Sequence, residues 1–398
     1  MKTSNIFEQN PNKTIVAIVL IALLIIDITA ANLYKLFLGY EFYERNKIKI
    51  ERSQRIEKEY RIASDIYHHD LAKNIYFENG KWGGKNYTVA TDSLGFKSEK
   101  PKDTPMISKK NRIVFIGDSF TEGIGLQHKD TFVGRIADIL SERNIEVLNA
   151  AVASYSPIIY YRKIKHFLDR GLKFDELVVF IDISDIEDEA LKYEMSQSNT
   201  VKSKTNKVGN TIRNNSIITN LLVQTKNTVF YKKGITDKRK YYKNRSADKN
   251  LNLRRAMWTI EESIFKDYGD VGLKKAEYYM NQLYHLLKLN NVALTIAVYP
   301  WPDQIINNDL NSIQVKYWMK WALQKQVNFL NYFPCFINQS LQKQSSNLIA
   351  IEKYFTDGDV HWNEEGHKLI ASEFISFYNR QNCECAEQIA APDDTEIW

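Results

Sequence analysis

The chain has 398 residues, 44% of them hydrophobic and 12% aromatic, and a formal net charge of +6. That apolar content supports a sizeable core in one large or two moderate domains. Three cysteines, Cys335, Cys383 and Cys385, with no CxxC pair and no zinc-type Cys/His spacing, exclude a disulfide framework and speak against a zinc site.

Residues 14–26 are uncharged and almost wholly apolar. Asp27 interrupts them, and 28–38 are again mostly apolar apart from Asn32 and Lys35. A short apolar run of this kind fits a signal-peptide core, with Thr29-Ala30-Ala31 as a cleavage site. The other reading is a single transmembrane anchor over 14–37, favoured because apolar character resumes beyond residue 31. Asp27 then faces a partner helix or lies near an interface. The anchor leaves a cytoplasmic tail at 1–13 and places the bulk of the chain on the periplasmic or extracellular side of the inner, or cytoplasmic, membrane. Arg45, Lys47, Lys49, Arg52 and Arg55 beyond the span run against a literal positive-inside count, but long domains translocate regardless of charge.

Residues 38–110 read as a juxtamembrane stalk with a helical look followed by a small N-terminal extension. Asn79-Gly80 and Gly83-Gly84 mark turns between short aromatic strands such as Tyr87-Thr88-Val89. His68 and His69 offer metal-ligand chemistry with Asp65 or Asp70, although adjacent histidines rarely point at one ion. Residues 100–110 form a Lys/Pro linker.

From Arg112 strand and helix patterns alternate. Residues 112–116 are a largely apolar strand, broken by Gly117-Asp118-Ser119. Helical spacing follows over 130–143, a strand over 145–148, and a helix opened by Ser156-Pro157 and closed by Gly171. Strands at 177–181, 292–298 and 327–330 alternate with helices at 274–289, 315–325 and 364–378. This pattern predicts an α/β fold: a three-layer α/β/α sandwich on a mostly parallel five-stranded sheet, spanning 111–380, with a polar tail at 381–398. Residues 191–250 insert fourteen Lys/Arg against Glu194, Asp237 and Asp248. They read as a solvated loop, or as a cap that steers an anionic glycan or touches anionic lipid. Nothing in the motifs points to nucleic acid.

Ser119 stands at the carboxyl end of a strand, where an open α/β sheet places its chemistry. Asp359 and His361 lie on a loop before the last helix, which Asn363 can cap. Serine, histidine and a carboxylate are the parts of nucleophilic acyl transfer. Asp357 is the fallback acid. The Gly-x-Ser-x-Gly elbow is absent, because position 121 is Thr.

Gly117-Asp118-Ser119-Phe120 and the downstream Asp359-Val360-His361-Trp362-Asn363, with Gly366-His367, resemble the GDSL, or SGNH, hydrolase superfamily and its flavodoxin-like fold. The resemblance covers roughly 111–378 and implies Ser119 as nucleophile, His361 as base and Asp359 as its acid. The Ser119 amide serves as an oxyanion donor. Ser154 stands at the second-motif glycine and Ser184 at the third-motif asparagine, as further donors. Asp118, Asp185 and Trp301 are candidate substrate contacts, Trp301 as a platform for a sugar ring or merely a rigid loop residue. The Asp-x-His-Trp variant resembles the membrane-associated branch that adds or removes acetyl groups on bacterial polysaccharides beside a multi-pass membrane acyltransferase. These features together imply a serine esterase or O-acyltransferase acting on acyl esters, acetyl above all, of cell-envelope glycans, with no cofactor and no metal. A lipase or lysophospholipase, and a catalytically weak glycan-binding subunit, are the alternatives.

Overall fold

The computed structural model describes residues 10–37, 59–82, 85–204, 255–337, 346–357 and 359–379. The chain divides into two compact units, residues 1–55 with 205–243, and residues 56–204 with 244–398. Stalk residues 38–58, most of the basic insertion (205–250) and the polar tail 381–398 lie outside the described residues.

In the first unit the apolar run forms helix α1, Pro11–Phe37. The expected transmembrane helix over 14–37 is nevertheless not found: among the described residues no helix is long and apolar enough to cross a membrane. The uninterrupted apolar stretch 14–26 covers only about 20 Å at about 1.5 Å per residue, against a hydrocarbon core of about 30 Å. Asp27, which ends it, is buried.

The second unit begins with strands β1 (Arg61–Ser64) and β2 (His68–Leu71), which pair antiparallel. Strands β3 (Tyr76–Trp82), β4 (Lys85–Thr91) and β5 (Lys97–Ser98) follow. Next come β6 (Asn111–Ile116), helix α2 (Phe132–Ser141), β7 (Ile145–Asn149), helix α3 (Pro157–Asp169) and β8 (Glu176–Ile181). A hairpin of β9 (Tyr193–Met195) and β10 (Val201–Ser203) opens the insertion. The chain closes with α4 (Asp270–Leu289), β11 (Ala293–Val298), α5 (Ile313–Lys325), β12 (Asn328–Asn331) and α6 (Glu364–Tyr378).

The main sheet has eight strands rather than five, in the order β12-β11-β8-β6-β7-β5-β4-β3. Its five parallel strands are the expected ones, with Val114 of β6 opposite Leu148 of β7 and Leu177 of β8. The three added strands pair antiparallel and come from the N-terminal extension. They escaped the count because Asn, Gly and Lys dilute the alternation in 76–98 that marks a half-buried strand. Central strand positions Val114–Ile116 and Leu177–Ile181 are fully buried, as a sheet covered on both faces requires.

Strand order reverses at β6, since β7 lies on one side of it and β8 on the other. Right-handed crossovers therefore send α2 to one face and α3, α4 and α5 to the other. α2 packs against α6, and α3 against α4. The reversal opens a crevice outside the carboxyl ends of the central strands, where ligands bind in such sheets.

Candidate active site

β6 ends at Ile116, and Ser119 begins a one-turn helix, Ser119–Glu122, at that carboxyl edge. The turn is tight: a Cβ on Gly117 would lie 2.2 Å from Thr121 Oγ1, so only glycine fits. Asp118 caps the turn, its Oδ1 accepting from the Phe120 amide at 3.0 Å.

The Ser119 hydroxyl lies 2.7 Å from His361 Nε2, and His361 Nδ1 lies 2.6 Å from Asp359 Oδ1. An Nδ1–H donated to the carboxylate leaves Nε2 as the acceptor facing the serine. Asp359 also accepts from the His361 amide at 3.2 Å, which ties the acid to the loop carrying the imidazole. Asp357, the fallback acid, is exposed. Burial opposes ionisation of Asp359, but the His361 imidazole and amide outweigh it and hold the carboxyl below its usual range. Trp82 stands edge-on to the His361 ring at 5.2 Å, and Phe120 covers it at 4.8 Å. Trp82 belongs to β3, so the N-terminal extension supplies one wall of the site.

Beneath Ser119 lies a buried acid cluster. Asp118, Asp182 and Asp185 bring three carboxyls within 4.8 Å of one another, a geometry that could also hold a cation. Asp118 Oδ2 is 3.1 Å from Ser119 Oγ, and its Oδ1 accepts from the Tyr299 hydroxyl. Burial and the neighbouring Asp182 push Asp118 up to about 7. An ionised Asp118 competes with His361 for the single serine proton; a protonated Asp118 does not. Asp185 is also raised, by burial and by Asp182, and accepts from the Tyr160 hydroxyl at 2.8 Å. Trp301 is in the interior rather than a sugar platform in the crevice, and its indole donates to Asp182 Oδ2 at 2.7 Å.

Ser154 adopts φ +66, the left-handed region that favours glycine. Among the described residues no hydrogen bond engages the amides of Ser119 or Ser154, which leaves both N–H groups available to an acceptor. Ser184 is differently placed: its amide donates to Asp182 Oδ1 at 2.7 Å, so only its hydroxyl remains for a substrate. The left-handed conformation costs serine about 1–2 kcal/mol, while glycine loses about 0.5–1 kcal/mol to backbone entropy. Ser154→Gly is expected to stabilise the protein by about 0.5–1 kcal/mol in urea unfolding; a loss of stability would show that the serine side chain makes an offsetting contact.

The loop around Ser154 is held by residues that sequence inspection did not single out for this role. Glu122 Oε2 accepts from the Ala153 amide at 2.7 Å and Oε1 pairs with Arg61 at 2.8 Å. The Tyr193 hydroxyl donates to the Ser154 carbonyl at 2.7 Å. His69 Nε2 donates to the Ala153 carbonyl, His68 Nδ1 donates to His69 Nδ1, and the Ser203 hydroxyl donates to His68 Nε2. That single direction of donation requires both rings to be neutral, and burial depresses both, His69 to about 3. The two histidines are thus a hydrogen-bond chain, with every ring nitrogen occupied, rather than metal ligands.

No protein-family model matches the sequence, and no curated protein matches it. Solved structures similar to it include the esterase EstA from Pseudoalteromonas sp. (11% identity, 68% of this chain and 98% of that chain, TM-score 0.36). A catalytic mutant of Axe2, an acetylxylan esterase from Geobacillus stearothermophilus, matches at 12% identity over 68% of this chain and 95% of that chain, with a TM-score of 0.37. A member of the lipolytic protein G-D-S-L family from Veillonella parvula matches at 14% identity over 68% and 98%, with a TM-score of 0.33. Likeness at this level speaks for the fold at most, and the chemistry rests on the geometry of the site itself.

Proposed function

We propose that the chain is a serine hydrolase acting on ester bonds through an acyl-enzyme. The observation that carries this reading is the unbroken chain Ser119–His361–Asp359, with contacts of 2.7 and 2.6 Å, at the carboxyl edge of a parallel sheet. Ser119 Oγ attacks the ester carbonyl while His361 Nε2 takes its proton, and Asp359 holds the imidazolium that results. The oxyanion meets the amides of Ser119 and Ser154. Collapse expels the alcohol, which takes the proton from His361. Water, or a sugar hydroxyl in a transferase, then attacks the acyl-serine by the reverse path.

Acetyl esters of cell-envelope glycans are the substrates we favour, on the resemblance of the two outer motifs. Association with the membrane surface is supported by the exposed aliphatic side chains of α1, such as Ile15, Leu20 and Ile26. A multi-pass membrane acyltransferase is the partner we propose for the transfer version.

The test is intact-mass spectrometry of the full chain after treatment with a fluorophosphonate. One adduct on Ser119, absent from Ser119→Ala, is expected. No adduct on folded protein would sink the hydrolase reading and favour the glycan-binding subunit.

Activity is also expected to carry a rising acid limb centred above pH 6.5. Burial opposes the charge on His361, but Asp359, Asp118 and Asp182 outweigh it and raise the imidazole above its ordinary 6.5. The base works only when neutral, so a raised value moves the loss of activity to higher pH. Because Asp118 titrates nearby, the limb belongs to the coupled pair. Asp118→Asn removes one negative neighbour and should shift the midpoint of kcat/KM downward; an unmoved midpoint would mean that Asp118 is uncharged across the limb.

A further inference from the structure

From the Ala153 amide to the Tyr155 amide, every backbone polar group but one is engaged among the described residues. The Ala153 amide donates to Glu122 at 2.7 Å, and the Ala153 carbonyl accepts from His69 Nε2 at 2.8 Å. The Ser154 carbonyl accepts from the Tyr193 hydroxyl at 2.7 Å, and the Tyr155 amide donates to the Val152 carbonyl at 3.1 Å. The Ser154 N–H is left over. It shares one peptide unit with the Ala153 carbonyl. In a planar trans peptide the two bonds point in opposite directions, so holding the carbonyl fixes where the N–H aims. A hydrogen bond to the carbonyl also draws density from the nitrogen through the shared resonance, which makes the N–H a stronger donor.

His69 reaches the carbonyl by an unusual backbone route. Neighbouring side chains in a strand point to opposite faces, yet the Nδ1 atoms of His68 and His69 lie 2.8 Å apart and their rings meet edge-on at 4.9 Å. His68 adopts φ +82, a conformation that a non-glycine residue keeps only where its surroundings hold it. Those surroundings are one cross-strand pair of the β9–β10 hairpin, in which Ser203 stands opposite Tyr193. The Ser203 hydroxyl lies 2.7 Å from His68 Nε2, and the Tyr193 ring stands edge-on to His68 at 5.0 Å. Tyr155 stands edge-on to His69 at 4.9 Å, and its hydroxyl donates to the His69 carbonyl at 2.7 Å. Because the Ala153 carbonyl only accepts, His69 Nε2 carries a proton. In the neutral ring Nδ1 is then an acceptor, filled by the His68 Nδ1–H. The other tautomer of His69 would turn a bare Nε2 against the carbonyl oxygen, and His68 is what disfavours it.

We propose that His69, with its tautomer fixed by His68, is the positioning residue of the oxyanion site, aiming the Ser154 N–H at the substrate oxygen and strengthening it as a donor. The inference rests on the esterase reading and adds to it a role for the N-terminal extension, whose strand β2 carries both rings. Removing an oxyanion donor outright costs about a hundredfold to a thousandfold in kcat. A donor kept but released from its aim costs less.

The test is steady-state hydrolysis of p-nitrophenyl acetate by the full chain, well below the melting temperature of each variant. His69→Phe keeps a ring beside Tyr155 but donates nothing. It is expected to lower kcat by about ten- to a hundredfold with KM within about twofold of wild type, the mark of an interaction made only in the transition state. His69→Gln returns an amide N–H close to the place of Nε2 and should recover most of the loss. His68→Phe, which leaves the loop itself untouched, should lower kcat by about tenfold through the lost tautomer lock. Wild-type kcat in both folded phenylalanine variants would overturn the proposal. A His69→Gln enzyme as slow as His69→Phe would reduce the histidine to packing and overturn it too. Wild-type protein without Ser119-dependent turnover would instead overturn the esterase reading, and the proposal with it.

Discussion

Ser119→Ala and His361→Ala each lower the turnover of a short ester such as p-nitrophenyl acetate by about four orders of magnitude or more, and the double variant is no slower than the worse single one. The reason is geometric. The serine hydroxyl and Nε2 lie 2.7 Å apart and act as one unit, so removing either partner abolishes the same step. Losses that multiplied in the double variant would mean that the two groups act in separate steps. A Ser119→Ala enzyme within tenfold of wild type would remove the acyl-enzyme altogether. Residual rate in the variants is expected from the oxyanion amides of Ser119 and Ser154, which alanine at 119 leaves in place.

Glu122→Ala costs about 3–5 kcal/mol of stability, the magnitude for breaking a buried ion pair by removing one partner. The Glu122 side chain is fully inaccessible, pairs with Arg61 at 2.8 Å and receives the Ala153 amide. It is also the negative neighbour of Lys97, a fully buried lysine that burial drives down to about 8 while Glu122 opposes the shift. Lys97 otherwise donates to the carbonyls of Gly123 and Leu126, both at 2.8 Å. Without Glu122, Arg61 loses its ion pair, the Ala153 amide its acceptor and buried Lys97 its negative neighbour together. Burial opposes the Glu122 charge, yet Arg61 and Lys97 outweigh it and hold the carboxyl below its ordinary 4.5. A depressed carboxyl stabilises the fold above its unfolded value, and that contribution vanishes as pH falls through the folded value. The gap between wild type and variant in urea unfolding should therefore be full at pH 7 and shrink below about pH 4.5. A loss under about 1 kcal/mol at pH 7 would show that the loop around Ala153 does not depend on this acid.

The parallel half of the fold was legible because each strand is a continuous buried run and each helix carries an apolar stripe. Helix α6, Glu364–Tyr378, has the bounds expected of it, since Asn363 caps it with hydrogen bonds to the amides of Glu365 and Gly366. Ser119, Asp359 and His361 were legible as motifs for a related reason: each sits where a short local pattern ends an element at the carboxyl edge of the sheet. Trp301 stayed open between two readings because an aromatic flanked by prolines looks alike on a rim and in an interior, and only its burial and its bond to Asp182 distinguish the two. The apolar run at 14–26 reaches the length of a membrane span only when composition is carried past Asp27, and among the described residues no helix is long and apolar enough to cross one.

Local pattern by itself determined the α/β class and the order of the parallel elements, and it singled out Ser119, His361 and Asp359 as the residues to look for. These depend on contacts or turns within a few residues, and periodicity and motif record such contacts directly. Only the tertiary structure decided which residues support them. Arg61 meets Glu122, His69 meets Ala153, Trp82 faces His361, and the three acids Asp118, Asp182 and Asp185 converge. Each of these pairings joins segments far apart in the chain, and a charged or aromatic side chain carries no mark of the partner that will neutralise or cover it. Their outcome follows from where the strand order reverses, a property of the whole sheet rather than of any one stretch of it.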